Sequence, residues 1–424
     1  MKRPRSRLVV ALLALLALLA AACGGEEADT GAGGGGFEAG PLGAVTLGPD
    51  DPVKIASIQA ITGEVASLGE DQVRATQIAI DDLGGKFHGH PIELQSEDDG
   101  CAAEAGTTAA QKVVSDEQIV GIIGTSCSGA AVPAAQIISE AGLVMISGSN
   151  TSPDLTSLFG KEGEAHQEGY FRTAHNDEIQ GAAAATYAYD KLKVTKAASI
   201  HDGDPYTEGL ADSFNRSFED IGGTITKATA ISKGDTDMRP VLTEVEASGA
   251  ELVYFPIFQP EADFIIKQSR EIGFKPTSMM AADGVLSDTY VEKVPATEGM
   301  YFSGPGTPTG KEYKDFVAKY EEKFGEGPIQ AFHAHAYDAT MILFEALEKV
   351  VVEEDDGTLN IDRQELRDAV GATSGYNGIT GTLTCDEFGD CADPNIQIFQ
   401  NTPARKTIEE VRGAPIWTFK EEQQ

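Results

Sequence analysis

Residues 121–156, GIIGTSCSGAAVPAAQIISEAGLVMISGSNTSPDLT, constrain this chain more than any other stretch. The apolar run 119–123 has the length and bounds of a fully buried strand. A loop of small residues, Gly124-Thr125-Ser126-Cys127-Ser128, follows it, and then a helix-like segment ending at Ala141-Gly142. A second apolar run, 143–146, enters a second polar loop, Ser147-Gly148-Ser149-Asn150-Thr151, with Pro153 early in a further predicted helix. This order predicts two parallel strands with both loops at their carboxyl ends. Open parallel sheets bind their ligands at that edge.

Each loop offers hydroxyls and backbone N–H groups at a predicted helix N-terminus, which together suit a carboxylate or another small anion. Ser128 and Thr151 are also good helix caps, so capping is the competing reading for either one alone. The stretch also resembles a known family. Cys127-Ser128 with Pro133, then Met145-Ile146-Ser147 and 149–156 (SNTSPDLT), are similar to the leucine/isoleucine/valine-binding proteins, extracytoplasmic receptors of ABC amino-acid importers.

The amino terminus is of a different kind. Lys2, Arg3, Arg5 and Arg7 precede a Leu/Ala run over 8–22, the pattern of a secretory signal and shorter than a comfortable membrane span. Ala20-Ala21-Ala22 before Cys23 resembles a bacterial lipobox, which makes Cys23 the expected lipidated first residue of the mature protein. Residues 24–51 are Gly-rich, acidic and aperiodic, and read as a flexible tether. Without the signal's four cations, 28 Lys and Arg stand against 67 Asp and Glu, roughly −39. Such charge repels nucleic acid and suits a solvated surface, as in a salty habitat.

The remaining cysteines pair readily. Cys101 follows a predicted strand and Cys127 follows a later one, so both fall at one sheet edge outside the cytoplasm, where disulfides persist. The resemblance implies a Cys101–Cys127 bond at the positions these two match. Cys385 and Cys391 enclose a five-residue turn that a second disulfide closes; no further Cys/His pair nearby supports a metal site instead.

Strands and helices alternate through both halves, as in parallel sheets covered by helices on both faces. Strands are expected near 53–59, 92–95, 196–201, 224–230, 252–255, 278–281, 382–384, 396–400 and 416–419. The endings Asp81-Asp82-Leu83-Gly84-Gly85 and Glu219-Asp220-Ile221-Gly222-Gly223 hint at two lobes of similar build. The resemblance implies a periplasmic binding protein of type I: two doubly wound α/β lobes joined by a three-segment hinge near Arg172, Gly304 and Gly381. The lobes then comprise 52–173 with 305–380, and 174–304 with 381–420.

A free amino acid held between two lobes needs partners for both its charges. The carboxylate is assigned to Ser128 and Thr151. By similarity to the family's motif, Asp283, in Ala281-Ala282-Asp283-Gly284, stands where a glutamate meets the ammonium, and Ser149 offers that ammonium its carbonyl. Tyr206 matches a binding tyrosine of the family. Phe258 stands where the amino-acid receptors carry another tyrosine, and Leu68 where they carry an aromatic. The resemblance therefore implies a branched-chain or other small amino acid as ligand, ABC permease subunits as partners and a monomer. A small amide, urea or carboxylate, and a sensor role, are the alternatives.

An enzyme is not expected. No G-x-S-x-G elbow surrounds Ser126 or Ser128, and a disulfide would consume Cys127. His333-Ala-His335 is an i, i+2 pair on a predicted helix and points two ways, while His88-Gly-His90 lies in a turn expected to be solvated. No P-loop or dinucleotide fingerprint opens a helix, so no cofactor is expected.

Overall fold

The structure is a computed structural model that describes residues 37–275, 279–405 and 407–419. The signal, Cys23 and residues 24–36 of the Gly-rich segment lie outside the described residues, as does Ser278. Among the described residues, no helix is long and apolar enough to cross a membrane.

Two parallel sheets dominate the compact body that begins at Ala39. The first runs in the spatial order Lys86–Phe87, His90–Asp98, Val53–Gln59, Ile119–Gly124, Met145–Ser147, Tyr170–Arg172. Lys86–Phe87 is an antiparallel edge hairpin, and the other five strands are parallel. Alternation, shifted by a bulge between Ile119 and Gly121, sorts the apolar residues between its faces. Val120 and Ile123 pack with Leu343 and Leu347 of the helix His333–Val350. Ile119 and Ile122 pack with Ala109 of the helix Ala103–Val114 and Ile138 of the helix Ser128–Glu140. A strand buried on both faces reads as a continuous apolar run, which is why IVGIIG is legible as one.

The second sheet repeats this plan. Its parallel strands lie in the order Thr224–Ala230, Lys196–His201, Leu252–Tyr254, Met279–Ala281, Tyr301–Pro305. Ile396–Gln400 and Trp417–Thr418 add antiparallel strands at the far edge. Counted along the chain, the parallel strands of both lobes stand in the doubly wound order 2-1-3-4-5, with a switch point between the first and third. The likeness hinted at by the two Gly-Gly endings is thus one of topology.

Three segments join the sheets: 173–176, 306–310 and 392–395. The third lies beyond the position expected near Gly381. Leu383, Cys385 and Cys391 pack into the first lobe's core with Phe171 and Leu366, and Asp390 bridges to Arg172 at that sheet's edge. Residues 381–391 therefore stay with the first lobe, because the turn closed by the Cys385–Cys391 disulfide is anchored there. The Cys101–Cys127 disulfide is formed as well.

Three further expectations are corrected. The segment read as tether to residue 51 folds at its end. Ala44–Leu47 pairs antiparallel with Leu359–Asp362, and Val45 and Leu47 enter the core. Pro153 opens a single 3-10 turn, Pro153–Leu155, where a full helix was expected. The chain then turns into the small hairpin Ser157–Leu158 with Lys161–Glu162, whose tip holds Phe159 and Gly160 at positive φ. His90 is buried, with Nδ1 2.7 Å from the Asp51 carbonyl and Nε2 2.9 Å from that of Gly357. His88 is exposed in its turn as expected, where it pairs with Glu353 and Glu348.

Candidate functional site

The carboxyl ends of both sheets face one narrow cavity between the lobes, of about 10 Å³. On the first lobe, the loop after Ile119–Gly124 supplies Ser126, Cys127 and Ser128. It is held from behind by buried polar groups. Asp99 Oδ2 accepts the Ser126 N–H at 2.7 Å, and the Ser126 hydroxyl donates to Gln59 Oε1 at 2.7 Å. Burial pushes the Asp99 carboxyl up to about 7. Gln72 Nε2 donates to Ser149 Oγ at 3.0 Å, and that hydroxyl donates to the Ser126 carbonyl at 2.8 Å. Leu68 and Phe332 complete this wall.

Tyr206, Phe258, Asp283 and Gly284 form the opposite wall. Tyr206 sits in the first turn of the helix Pro205–Asp220, capped by Asp204, whose carboxylate accepts the Tyr206 N–H. Its hydroxyl donates to Asp283 Oδ1 at 3.3 Å and accepts the Gly284 N–H at 3.2 Å. The Tyr206 and Phe258 rings lie 5.0 Å apart. A Cβ on Gly284 would come within 2.8 Å of the Phe258 ring, so this close approach requires glycine. Burial pushes the Asp283 carboxyl up to about 6, against the hydrogen bonds from Gln180 and Tyr206.

Six of the seven expected contact residues, Leu68, Ser128, Ser149, Tyr206, Phe258 and Asp283, thus converge on one cavity. Thr151 is buried but does not line it; its carbonyl accepts the Asp177 N–H at 3.0 Å. Neither hydroxyl caps a helix. Cys127 and Ser152 hold the N-cap positions, and Ser128 Oγ instead accepts the Ser152 N–H at 3.3 Å, tying the two loops together. Sequence reasoning did not single out Phe332 or Gly284 as contacts. Gly284 was quoted only as Asp283's neighbour, and Phe332 stands beside His333, which drew attention for its own chemistry.

Two structural devices surround the cavity. Arg172, fully buried, pairs with Asp390 and donates to the carbonyls of Ser152 (2.7 Å) and Asn150 (3.3 Å) and to Thr156 Oγ1 (2.6 Å). It thereby fixes the whole second polar loop. Away from the cavity lining, Phe159 of the first lobe's hairpin lies under the Arg216 guanidinium of the second lobe, 3.3 Å from the ring centroid, and its N–H donates to Glu178 Oε1. This pair is exposed, so Phe159→Ala is expected to weaken ligand binding only about threefold to fivefold, the scale of an exposed cation–π contact. Calorimetric titration checks it.

Two lobes of one topology around an enclosed cavity, hydroxyl-rich on one wall and acidic and aromatic on the other, define a two-lobed solute-binding protein. The chain belongs to the periplasmic binding protein family, whose model matches residues 52–394. It is 30% identical over 347 residues to the Leu/Ile/Val-binding protein BraC3 of Rhizobium johnstonii, covering 79% of this chain and 90% of that one. It is 28% identical to the leucine-, isoleucine-, valine-, threonine- and alanine-binding protein of Pseudomonas aeruginosa, covering 82% and 90%. Among solved structures, a leucine-binding protein from Thermotoga maritima superposes with a TM-score of 0.74 at 26% identity, covering 88% of this chain and 100% of that one. A Rhodopseudomonas palustris solute-binding protein in complex with 4-hydroxybenzoate shares the fold, with a TM-score of 0.74 at 18% identity and coverage of 87% and 97%. The relatives thus fall in the group that the 121–156 motifs resemble.

Proposed function

We propose that this chain is the extracytoplasmic substrate-binding protein of an ABC importer, taking a branched-chain or other small amino acid into the interlobe cavity as the lobes close. The observation that carries the reading is the charge of the cavity. Asp283 faces it, while no lysine, arginine or histidine is among its lining residues. A purely anionic ligand would leave two like charges in an enclosed site, whereas an ammonium group supplies the missing opposite charge. This favours an amino acid over a benzoate-like carboxylate. The Ser126 and Ser149 hydroxyls already donate to Gln59 and to the Ser126 carbonyl, so the Ser128 hydroxyl is the one suited to the ligand's carboxylate, the Ser149 carbonyl to its ammonium, and Leu68, Phe258 and Phe332 to its apolar side chain. Thr151 would act on the carboxylate through the loop it belongs to rather than by touching it. The three crossing segments suit hinge bending, and a lipid on Cys23 would keep the receptor beside its permease. The task is capture and delivery, not catalysis.

A thermal-shift panel of the twenty amino acids, urea, short amides and aliphatic and aromatic carboxylates tests this. Leucine, isoleucine or valine at about 100 times its dissociation constant is expected to add about 2.7 kcal/mol of stability. Stabilisation by carboxylates or amides alone would overturn the ammonium role.

A further inference from the structure

We propose that His175 and Gln180 form a positioning chain that runs from the first crossing segment to Asp283 and holds its carboxylate oriented and charged for an ammonium ligand. The proposal rests on the reading of Asp283 given above. Gln180, buried on the helix Asp177–Thr186, directs Nε2 at Asp283 Oδ1, at the Ser303 carbonyl (3.2 Å) and at Ser303 Oγ (3.1 Å). A carboxylate and a carbonyl only accept, so the amide can face them only with its NH₂. Its Oε1 is thereby turned to His175 Nε2, which must carry the ring proton. His175 Nδ1 is then the bare nitrogen, and it is the ring atom that has no hydrogen-bond partner. Donor and acceptor roles along the chain are therefore decided from both ends.

His175 is fixed in turn by the first lobe. Its ring stacks on Phe332 at 6.1 Å and 22°, and His335 packs on the same phenylalanine at 5.5 Å. Phe332 lines the cavity, so one ring contacts both the ligand space and the chain that sets Asp283. Burial holds His175 down to about 4, so it stays a neutral donor across the physiological range. The groups facing Asp283 are Asp177 on Gln180's own helix, Tyr206 from the helix Pro205–Asp220, and Tyr254 from the central strand Leu252–Tyr254. Around His175 they are Arg172, Asp390 and His335. None of these lies in Gln180's place. Its amide is the donor that favours the ionised carboxylate at the buried end.

The test is a carboxyl NMR titration of ¹³C-aspartate-labelled full chain, with Asp283 assigned by its loss in Asp283→Asn, alongside L-leucine calorimetry from pH 5 to 9. Gln180→Leu is expected to raise the Asp283 midpoint by about one pH unit or more, the value of one hydrogen bond to a charged group. Leucine affinity should fall about twofold at pH 7 and about fivefold at pH 6, and recover towards pH 8.5. His175→Phe keeps the ring on Phe332 but releases the amide, and is expected to shift the midpoint the same way by less. It serves equally if the leucine variant does not fold. An unchanged midpoint in both variants, or a loss of affinity equal at every pH, would overturn the chain. A raised midpoint in a protein whose wild type binds no amino acid would leave the chain standing and remove the ligand reading instead.

Discussion

Arg172→Met is expected to lower the stability of the folded protein by about 3–5 kcal/mol, the cost of stripping one partner from a buried ion pair. The side chain is fully buried, and four acceptors share its guanidinium: Asp390, Thr156 Oγ1 and the carbonyls of Asn150 and Ser152. Methionine fills much of the volume but leaves all four without their donor. Asp390, although burial raises its carboxyl, is held below the usual carboxylate range by Arg172, Asn176 and Thr156. A depressed carboxyl adds stability above its unfolded pKa and loses it as pH falls through the folded value. The pair's contribution is therefore intact at neutral pH and disappears only in acid below about 4. Urea unfolding at pH 7 of Arg172→Met, Asp390→Asn and the double variant measures it. A loss under about 1 kcal/mol in the first would show that the loop holds itself. Because Arg172 also anchors residues 150–156, ligand affinity should fall with stability.

Asp283→Asn should weaken amino-acid binding by about 1.5–3 kcal/mol at pH 7.5, the range for a hydrogen bond to a charged group. It should also abolish a pH dependence that the wild type shows. Asp283 is raised to about 6 by burial, so the ligand-free site takes up a proton as pH falls below that value. The sign is opposite to that of Asp390. The unfavourable charge is absent below the ordinary carboxylate pKa and grows as pH rises through about 6. An ammonium ligand removes that penalty. Its affinity should therefore be level above pH 6 and fall towards tenfold per pH unit below it, as a proton competes for the carboxylate. Isothermal titration across pH 4.5–8 reads both effects. Undiminished binding by the asparagine variant would take Asp283 out of the site.

Much of the molecule is legible in one dimension because its strands are buried on both faces and its helices end at glycine pairs. IVGIIG, KAASIH and LVY are read correctly within a residue or two for that reason. What escaped was short or irregular. Val45 and Leu47 carry an alternation only two residues deep, lost among glycines until Leu359–Asp362 supplies the partner strand. The 3-10 turn at Pro153 has a good helix start, but Gly160 and Gly163 and the cation–π contact at Phe159 favour a hairpin. His90 looks like a solvated turn residue until two carbonyls, one of them 267 positions away, close over it.

The candidate site divides in the same way. Leu68, Ser149, Tyr206, Phe258 and Asp283 were named by their match to the family's motifs and Ser128 from its loop, and the segments that carry them follow strands whose ends converge in a doubly wound sheet. Thr151 shares that loop but is turned away by the hydrogen bond between its carbonyl and Asp177. The sequence by itself determined the alternation of strands and helices, the parallel sheets and the loops that meet at their edge, since each follows from periodicity within a dozen residues. Only the tertiary structure decided that Arg172 grips Asp390, that Gln180 reaches Asp283, 103 residues away, and that Phe332 joins both lobes' chemistry. Those pairings are unions of single residues from distant segments. Arg172 and Asp390 meet within the first lobe and Gln180 and Asp283 within the second, while Phe332 reaches across to His175, and no local pattern in either partner encodes the other.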